Sequence, residues 1–211
     1  MARPDFDSVA RYYDALAGLV FGPRLLRAQR EALQQGLPPD ARRVLFIGGG
    51  TGQVLPELLH QCPAGRVLYL EASAAMLQRA RQHLARTAPE LRARVEFRHG
   101  TEEALAPNEQ FDAVLAFFLF DLFPPAELQA LLGRLHRHAR AGTRWVVADF
   151  APPRRGWQRG LQWLMYRFFR LTAAVPGQEL PDIGGALREL GLQPRWQQEL
   201  SGGLIEASGW Q

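Results

Sequence analysis

The spacing of apolar residues switches repeatedly between two periods along the chain. Val44 to Ile47 form an apolar run that ends in Gly48-Gly49-Gly50-Thr51-Gly52. After it, Val54, Leu55, Leu58 and Leu59 recur at helical spacing. The pattern predicts a buried strand over 43–47, a tight glycine turn, and a helix over 52–61. The same change recurs as strand 66–71, helix 73–87, strand 94–98 and strand 111–117. Pro124-Pro125 then opens a helix with Leu128, Leu131, Leu132 and Leu135 on one face, and the Ala141-Gly142-Thr143 turn leads into strand 144–150. Strands alternating with helices argue a parallel sheet of right-handed crossover units.

Both ends depart from this alternation. Residues 5–35 read as two helices broken near Gly18 to Pro23, with Phe6, Val9, Tyr13 and Leu16 at helical spacing, so 1–40 is expected to form a helical cap. After a linker at Pro152-Pro153-Arg154-Arg155-Gly156, Trp157, Leu161, Leu164, Met165, Phe168 and Leu171 make a helical stripe. Trp163, Tyr166 and Phe169 widen it. Residues 152–190 therefore read as a helical insertion, either a lid over an apolar site or a face for a membrane surface or partner subunit. A short helix over 182–191 follows, and Gln193–Leu200 and Leu204–Trp210 flank Ser201-Gly202-Gly203 as a terminal antiparallel hairpin. The expected fold is α/β: a seven-stranded, mostly parallel sheet with helices on both faces, built as one domain over 1–211.

Composition narrows the chemistry. Hydrophobic residues make up 47% of the 211, enough for a sizeable core. All 25 basic residues are Arg, which excludes a lysine Schiff base and a Walker-type phosphate loop. The net charge of +4 comes without a long basic run or basic-aromatic ladder, so no nucleic-acid partner is expected. Cys62 stands alone, which rules out an intramolecular disulfide and a multi-cysteine metal site; a small, half-buried residue at a helix end is expected there. The first residues lack a signal-peptide run, and no stretch of about 18 apolar residues suggests a membrane span. A cytoplasmic protein without stable membrane insertion is the expectation.

The glycine turn is the candidate binding element. Glycines let a ligand approach the backbone, and a helix start supplies unpaired N–H groups. Gly48, Gly50 and Gly52 spell G-x-G-x-G, whereas a dinucleotide fingerprint wants glycine where Gln53 stands. Glu71 ends the next strand, at the edge where ligands of such sheets sit.

This turn, followed by Glu71 and Glu-Ala-Ser-Ala-Ala-Met-Leu, resembles motifs I and II of the class I S-adenosylmethionine-dependent methyltransferases, which have a Rossmann-like fold. The string FDSVARYYDALAGLVFG also resembles the N-terminal segment of the ubiquinone/menaquinone-biosynthesis type. The resemblance implies S-adenosylmethionine as cofactor, held by Tyr13, Gly48, Gly49, Gly50, Gly52, Glu71, Ala72, Met76, Thr101, Glu102 and Phe117. Within that set Glu71 would take both ribose hydroxyls and Met76 would cover the adenine. Thr101 stands where relatives commonly carry an Asp for the adenine amine, so Thr101 or Glu102 is expected to substitute. Phe46 replaces an acidic residue of motif I.

Phe117, Phe118, Phe120 and Phe123 suggest an apolar pocket for a small, apolar or aromatic acceptor. Asp149, Asp121, His99 and Tyr13 are topologically available as bases, but no motif identifies a catalytic residue. His136 and His138 lack the spacing of a helical zinc pair and read as a solvated face. No catalytic metal ion is expected, and a homodimer is admitted. Two rival readings stay open. One is a non-catalytic S-adenosylmethionine-binding scaffold. The other is a nicotinamide-dependent oxidoreductase, whose short-chain version the absence of Lys excludes.

Overall fold

Strand order in the single sheet is β3-β2-β1-β4-β5-β7-β6. The strands are β1 (Arg43–Ile47), β2 (Arg66–Glu71), β3 (Val95–His99), β4 (Phe111–Phe117), β5 (Ala139–Phe150), β6 (Pro194–Leu200) and β7 (Ile205–Trp210). The first five run parallel, and β7 lies antiparallel between β5 and β6. The computed structural model describes residues 22–151 and 181–211. Tyr13, the part of the expected cap within 1–21 and the aromatic helix of 157–172 lie outside the described residues.

Alternation along each strand sends successive side chains to opposite faces, and both faces are apolar. On one face Val44, Phe46, Val67, Tyr69, Leu115 and Phe117 meet helices α1 (Gly22–Gly36), α2 (Leu55–Gln61) and α3 (Ala74–Thr87) through Leu25, Leu33, Leu55, Leu58, Leu77 and Leu84. On the other, Leu45, Leu70, Val114, Trp145 and Val147 meet α4 (Pro125–His136) and α5 (Ile183–Glu189) through Leu128, Leu131, Leu132, Leu135 and Leu187. Each such side chain contributes about 1.5–3 kcal/mol when fully buried. Two covered faces and an antiparallel hairpin at one edge are the architecture the periodicity predicts. Phe46, at the position where relatives carry an acid, packs edge-on against Tyr69 and Phe117 with centroids 5.2 and 5.4 Å away.

Strand order reverses between β1 and β4, whose neighbours lead to opposite sides of the sheet. Loops leaving the carboxyl ends of these strands diverge there and open a crevice. The predicted site residues lie on the chain around this point.

Several details differ from the sequence reading. The helix after the glycine turn begins at Leu55, because Gly52 takes φ +72° and cannot continue a right-handed helix. Strand β5 starts at Ala139, before the predicted turn at 141–143. Gly142 (φ +84°) bends it, and its register on β4 shifts between Phe111 and Ala113. Buried Thr143 holds that irregularity: its hydroxyl donates to the Phe111 carbonyl at 2.7 Å and accepts from the Arg140 N–H at 2.7 Å.

Cys62 is fully buried, its thiol donating to the Leu58 carbonyl at 3.1 Å. The histidines of α4 and the turn after it are not a solvated face. His136 stacks on Trp145 at 6.4 Å between centroids, and His138 Nδ1 bonds the Glu109 carbonyl oxygen at 2.9 Å. Among the described residues no group of three or more metal-ligating side chains stands together, and no helix is long and apolar enough to cross a membrane.

Thr143→Val removes both hydroxyl bonds while keeping the volume. Urea unfolding should show a loss of about 1–3 kcal/mol. An unchanged midpoint would mean that the bulge is held by the backbone alone.

Candidate functional site

Three left-handed glycines shape the turn between β1 and α2: Gly48, Gly50 and Gly52, with φ +64°, +61° and +72°. The Gly48 N–H donates to the Leu70 carbonyl at 2.9 Å and pins the turn to β2. A Cβ on Gly49 would lie 2.5 Å from the Tyr69 ring, so the turn sits flat on that side chain. The Tyr69 hydroxyl donates to the Gly50 carbonyl at 2.9 Å. At Gly50 a Cβ would meet only the Met76 sulfur, at 3.9 Å. Glycine is required there for its φ, and it leaves the space above the backbone open.

Glu71 ends β2 beside this turn. Its Oε2 accepts from the Gly50 N–H and its Oε1 from the Ser73 N–H, each at 2.9 Å. Glu71 is 7% exposed, and burial raises its pKa above the ordinary value. The amides of Ser73, Gly50 and Ala72, with His99 nearby, oppose that rise. Beside it the His99 ring bonds the Ala72 carbonyl through Nε2 at 2.9 Å, so that nitrogen carries the proton. Ser73 also caps α3: its hydroxyl oxygen accepts from the Met76 N–H at 3.2 Å and sets Met76 at the head of the helix.

The glycine turn, Glu71, Ser73 and Met76 line a cavity of about 650 Å³, within the range of small-molecule sites. Of the predicted residues, Gly48, Gly49, Gly50, Glu71, Ala72, Met76, Thr101, Glu102 and Phe117 stand on its wall. Gly52 does not. A Cβ there would approach Ala80 Cβ to 2.9 Å, so its small size lets α3 pack against the turn. The Glu102 carboxylate is held by Arg134 of α4 at 2.7 Å. Thr101 is the neighbour whose hydroxyl is not committed to an ion pair.

Across the cavity the chain leaving β4 supplies Phe118, Leu119, Leu122 and Phe123, and α1 supplies Leu25 and Leu26. Phe118 adopts φ +54°, uncommon for a bulky residue. Its N–H donates to the Ala148 carbonyl at 2.7 Å, and its ring meets Phe150 at 5.3 Å. Asp121 and Asp149, candidate bases by topology, are not on the cavity wall.

The sequence reading missed Tyr69 and Ser73, which hold the turn and Glu71 in place. Both left a signal: Tyr69 shares the face of Glu71 by alternation, and Ser73 precedes a helical run as an N-cap. Leu25, Leu26, Leu119 and Leu122 left none, because only the fold brings them together.

The geometry suits a nucleoside. An ionised carboxylate offers about four acceptor sites, and two of Glu71's carry backbone N–H groups, leaving two for a pair of hydroxyl donors. The open backbone at Gly50 and the thioether of Met76 provide a close approach and an apolar cover.

Comparisons with known proteins agree. A methyltransferase-domain family model matches residues 44–142. The demethylmenaquinone methyltransferase of Thermus thermophilus is 32% identical over 185 residues, 86% of this chain and 76% of that protein. The ubiquinone/menaquinone biosynthesis C-methyltransferase of Pseudomonas fluorescens is 29% identical over 70% of this chain, which spans 57% of that protein. The fold is shared with the mitomycin 7-O-methyltransferase MmcR, with TM-score 0.70, 20% identity, and coverage of 89% of this chain and 53% of that one. It is also shared with DhpI in its DhpI–SAM–HEP complex, with TM-score 0.67, 19% identity, and coverage of 98% and 94%. Neither the oxidoreductase nor the scaffold reading survives these matches. The chain belongs to the S-adenosylmethionine-dependent methyltransferases and is an enzyme of that family.

Proposed function

We propose that this methyltransferase acts on a small aromatic acceptor, a reduced quinone ring of the demethylmenaquinone type, in the cytoplasm. The observation that carries the reading is the apolar wall of Leu25, Leu26, Phe118, Leu119, Leu122 and Phe123 in the same cavity as the glycine turn. The Thermus thermophilus relative, named for demethylmenaquinone, supports it.

When bound, S-adenosylmethionine supplies an electrophilic methyl group on a positively charged sulfur. In this proposal Glu71 accepts from the two ribose hydroxyls with the lone pairs left free by Gly50 and Ser73. The backbone of Gly48 to Gly50 admits the methionine portion, Met76 covers the adenine, and Thr101 offers a hydroxyl at its edge. The apolar wall excludes water and holds the acceptor ring. Alignment of this kind can supply about 7–11 kcal/mol of the barrier reduction.

Methyl-labelled S-adenosylmethionine with a short-chain demethylmenaquinol should give a product one methyl group heavier by mass spectrometry. Leu122→Arg should suppress turnover while sparing S-adenosylhomocysteine binding, since it charges only the acceptor wall. Turnover of an aliphatic acid such as trans-aconitate, with none of the quinol, would contradict the aromatic reading.

Cofactor binding should also depend on pH. Protonating Glu71 removes lone pairs that the ribose hydroxyls need, so affinity is full above its folded-state pKa and falls as pH drops through it. Because burial raises that pKa, the fall should begin above the ordinary Glu value of 4.5. Calorimetric titration with S-adenosylhomocysteine across pH would show it, and Glu71→Gln should flatten the profile. The same profile in both proteins would remove Glu71 from the binding step.

A further inference from the structure

Two carboxyl groups stand together behind the acceptor side of the cavity. Asp121 lies in the single 3-10 turn Phe120–Leu122 that follows β4, and Asp149 is the penultimate residue of β5. Asp149 is 3% exposed. Oδ1 of Asp121 and both oxygens of Asp149 are enclosed without a hydrogen-bond donor in good geometry. The amides of Phe120 and Asp121 lie near Asp149 without closing such a bond.

No counter-ion is at hand among the described residues. Alternation puts Asp149 on the face covered by α4 and α5. On those helices Arg134 is taken by Glu102, Arg188 lies over the Trp210 ring, and His136 stacks on Trp145. Their other charged residues, Glu127 and Glu189, are acidic. Directly opposite Asp149 on β7 stands Glu206, a further acid.

Counted as two carboxylates, the pair leaves three enclosed oxygens without a donor and sets like charges side by side. Counted as one acid and one carboxylate, the acid O–H donates across the pair and one of the two charges disappears. We propose that Asp121 and Asp149 share a single proton at neutral pH, and that this O–H···O bond fastens the turn after β4 to the end of β5, positioning Leu119, Leu122 and Phe123 along the acceptor wall.

The titration of the two groups agrees. Burial pushes Asp121 up to about 6. It pushes Asp149 well above the usual carboxylate range, and the neighbouring Asp121 charge pushes it further. Such a pair loses its first proton below neutrality and keeps the second above it. The bond also supports a turn that begins at the left-handed Phe118. The pair is a positioning device, since neither carboxyl lies on the cavity wall. Only its effect on acceptor binding rests on the aromatic-acceptor reading.

Infrared difference spectra of the full chain at neutral pH, wild type against D121N and D149N, test the shared proton. The wild type should show one carboxylic-acid carbonyl band that both variants lose, because an Asn amide can donate to the remaining carboxylate and leave it ionised. No band difference would overturn the proposal. So would magnesium or another divalent cation that abolishes the band and raises the melting temperature, since the pair would then be a cation site.

With short-chain demethylmenaquinol as acceptor, D149A should raise KM about tenfold while S-adenosylhomocysteine affinity stays within about twofold, and D149N should recover most of that loss. Equal loss in D149A and D149N would contradict positioning through this bond. The infrared arm needs no acceptor and reads the wild type directly, so failure of the quinol reading, or of D149A to fold, leaves the shared proton decided on its own.

Discussion

The site depends on one carboxylate held by the backbone around it. Glu71 takes the Gly50 amide on one oxygen and the Ser73 amide on the other, and so joins the turn after β1 to the start of α3. Burying a carboxylate is costly unless donors surround it. Here the donors are main-chain amides, which cannot swing away as side chains do. The same two bonds fix Ser73 at the start of α3, and with it Met76, and hold the turn where Gly50 opens its backbone. A change at Glu71 therefore acts on geometry as well as charge.

The fold divides the labour on either side of the reversal point. Toward β2 and β3 the cavity wall is backbone, the Glu71 carboxylate, the Met76 thioether and the polar side chains of α3, Arg79, Gln82, His83 and Arg86, suited to a polar nucleoside. Toward β4 it is Phe and Leu, suited to an apolar ring, and α1 adds Leu25 and Leu26 together with Gln29 and Arg30 at the margin. The polar half is fixed by hydrogen bonds inside the sheet and the glycine turn. The apolar half hangs on the turn after β4, which is why its attachment to β5 matters. A parallel sheet with both faces covered makes this arrangement rigid, since Phe46, Tyr69 and Trp145 fill the layers beneath it.

Much of this was legible along the chain. The period changes predict the five parallel strands and the terminal hairpin, and the G-x-G-x-G turn with Glu71 predicts the polar half of the site. What resisted were features set by tertiary packing. Gly52 looks like a ligand-contact glycine, yet it is small because Ala80 presses on it. His136 looks polar and solvated, yet its ring finds Trp145. The start of β5 is hidden because Gly142 reads as a turn, while the Thr143 hydroxyl keeps the strand bonded to β4. Asp121 and Asp149 are 28 positions apart, and each alone reads as an edge carboxylate. Only the pairing of β4 with β5 brings them together.

The most direct test of the central claim is calorimetric binding of S-adenosylhomocysteine to Glu71→Ala beside the wild type near neutral pH, with circular dichroism to establish that both are folded. If Glu71 is the anchor of the nucleoside, the variant should bind about 10- to 100-fold more weakly, as expected for the loss of charged hydrogen bonds in a buried site. Equal affinity in two folded proteins would contradict the account and place the cofactor's ribose elsewhere.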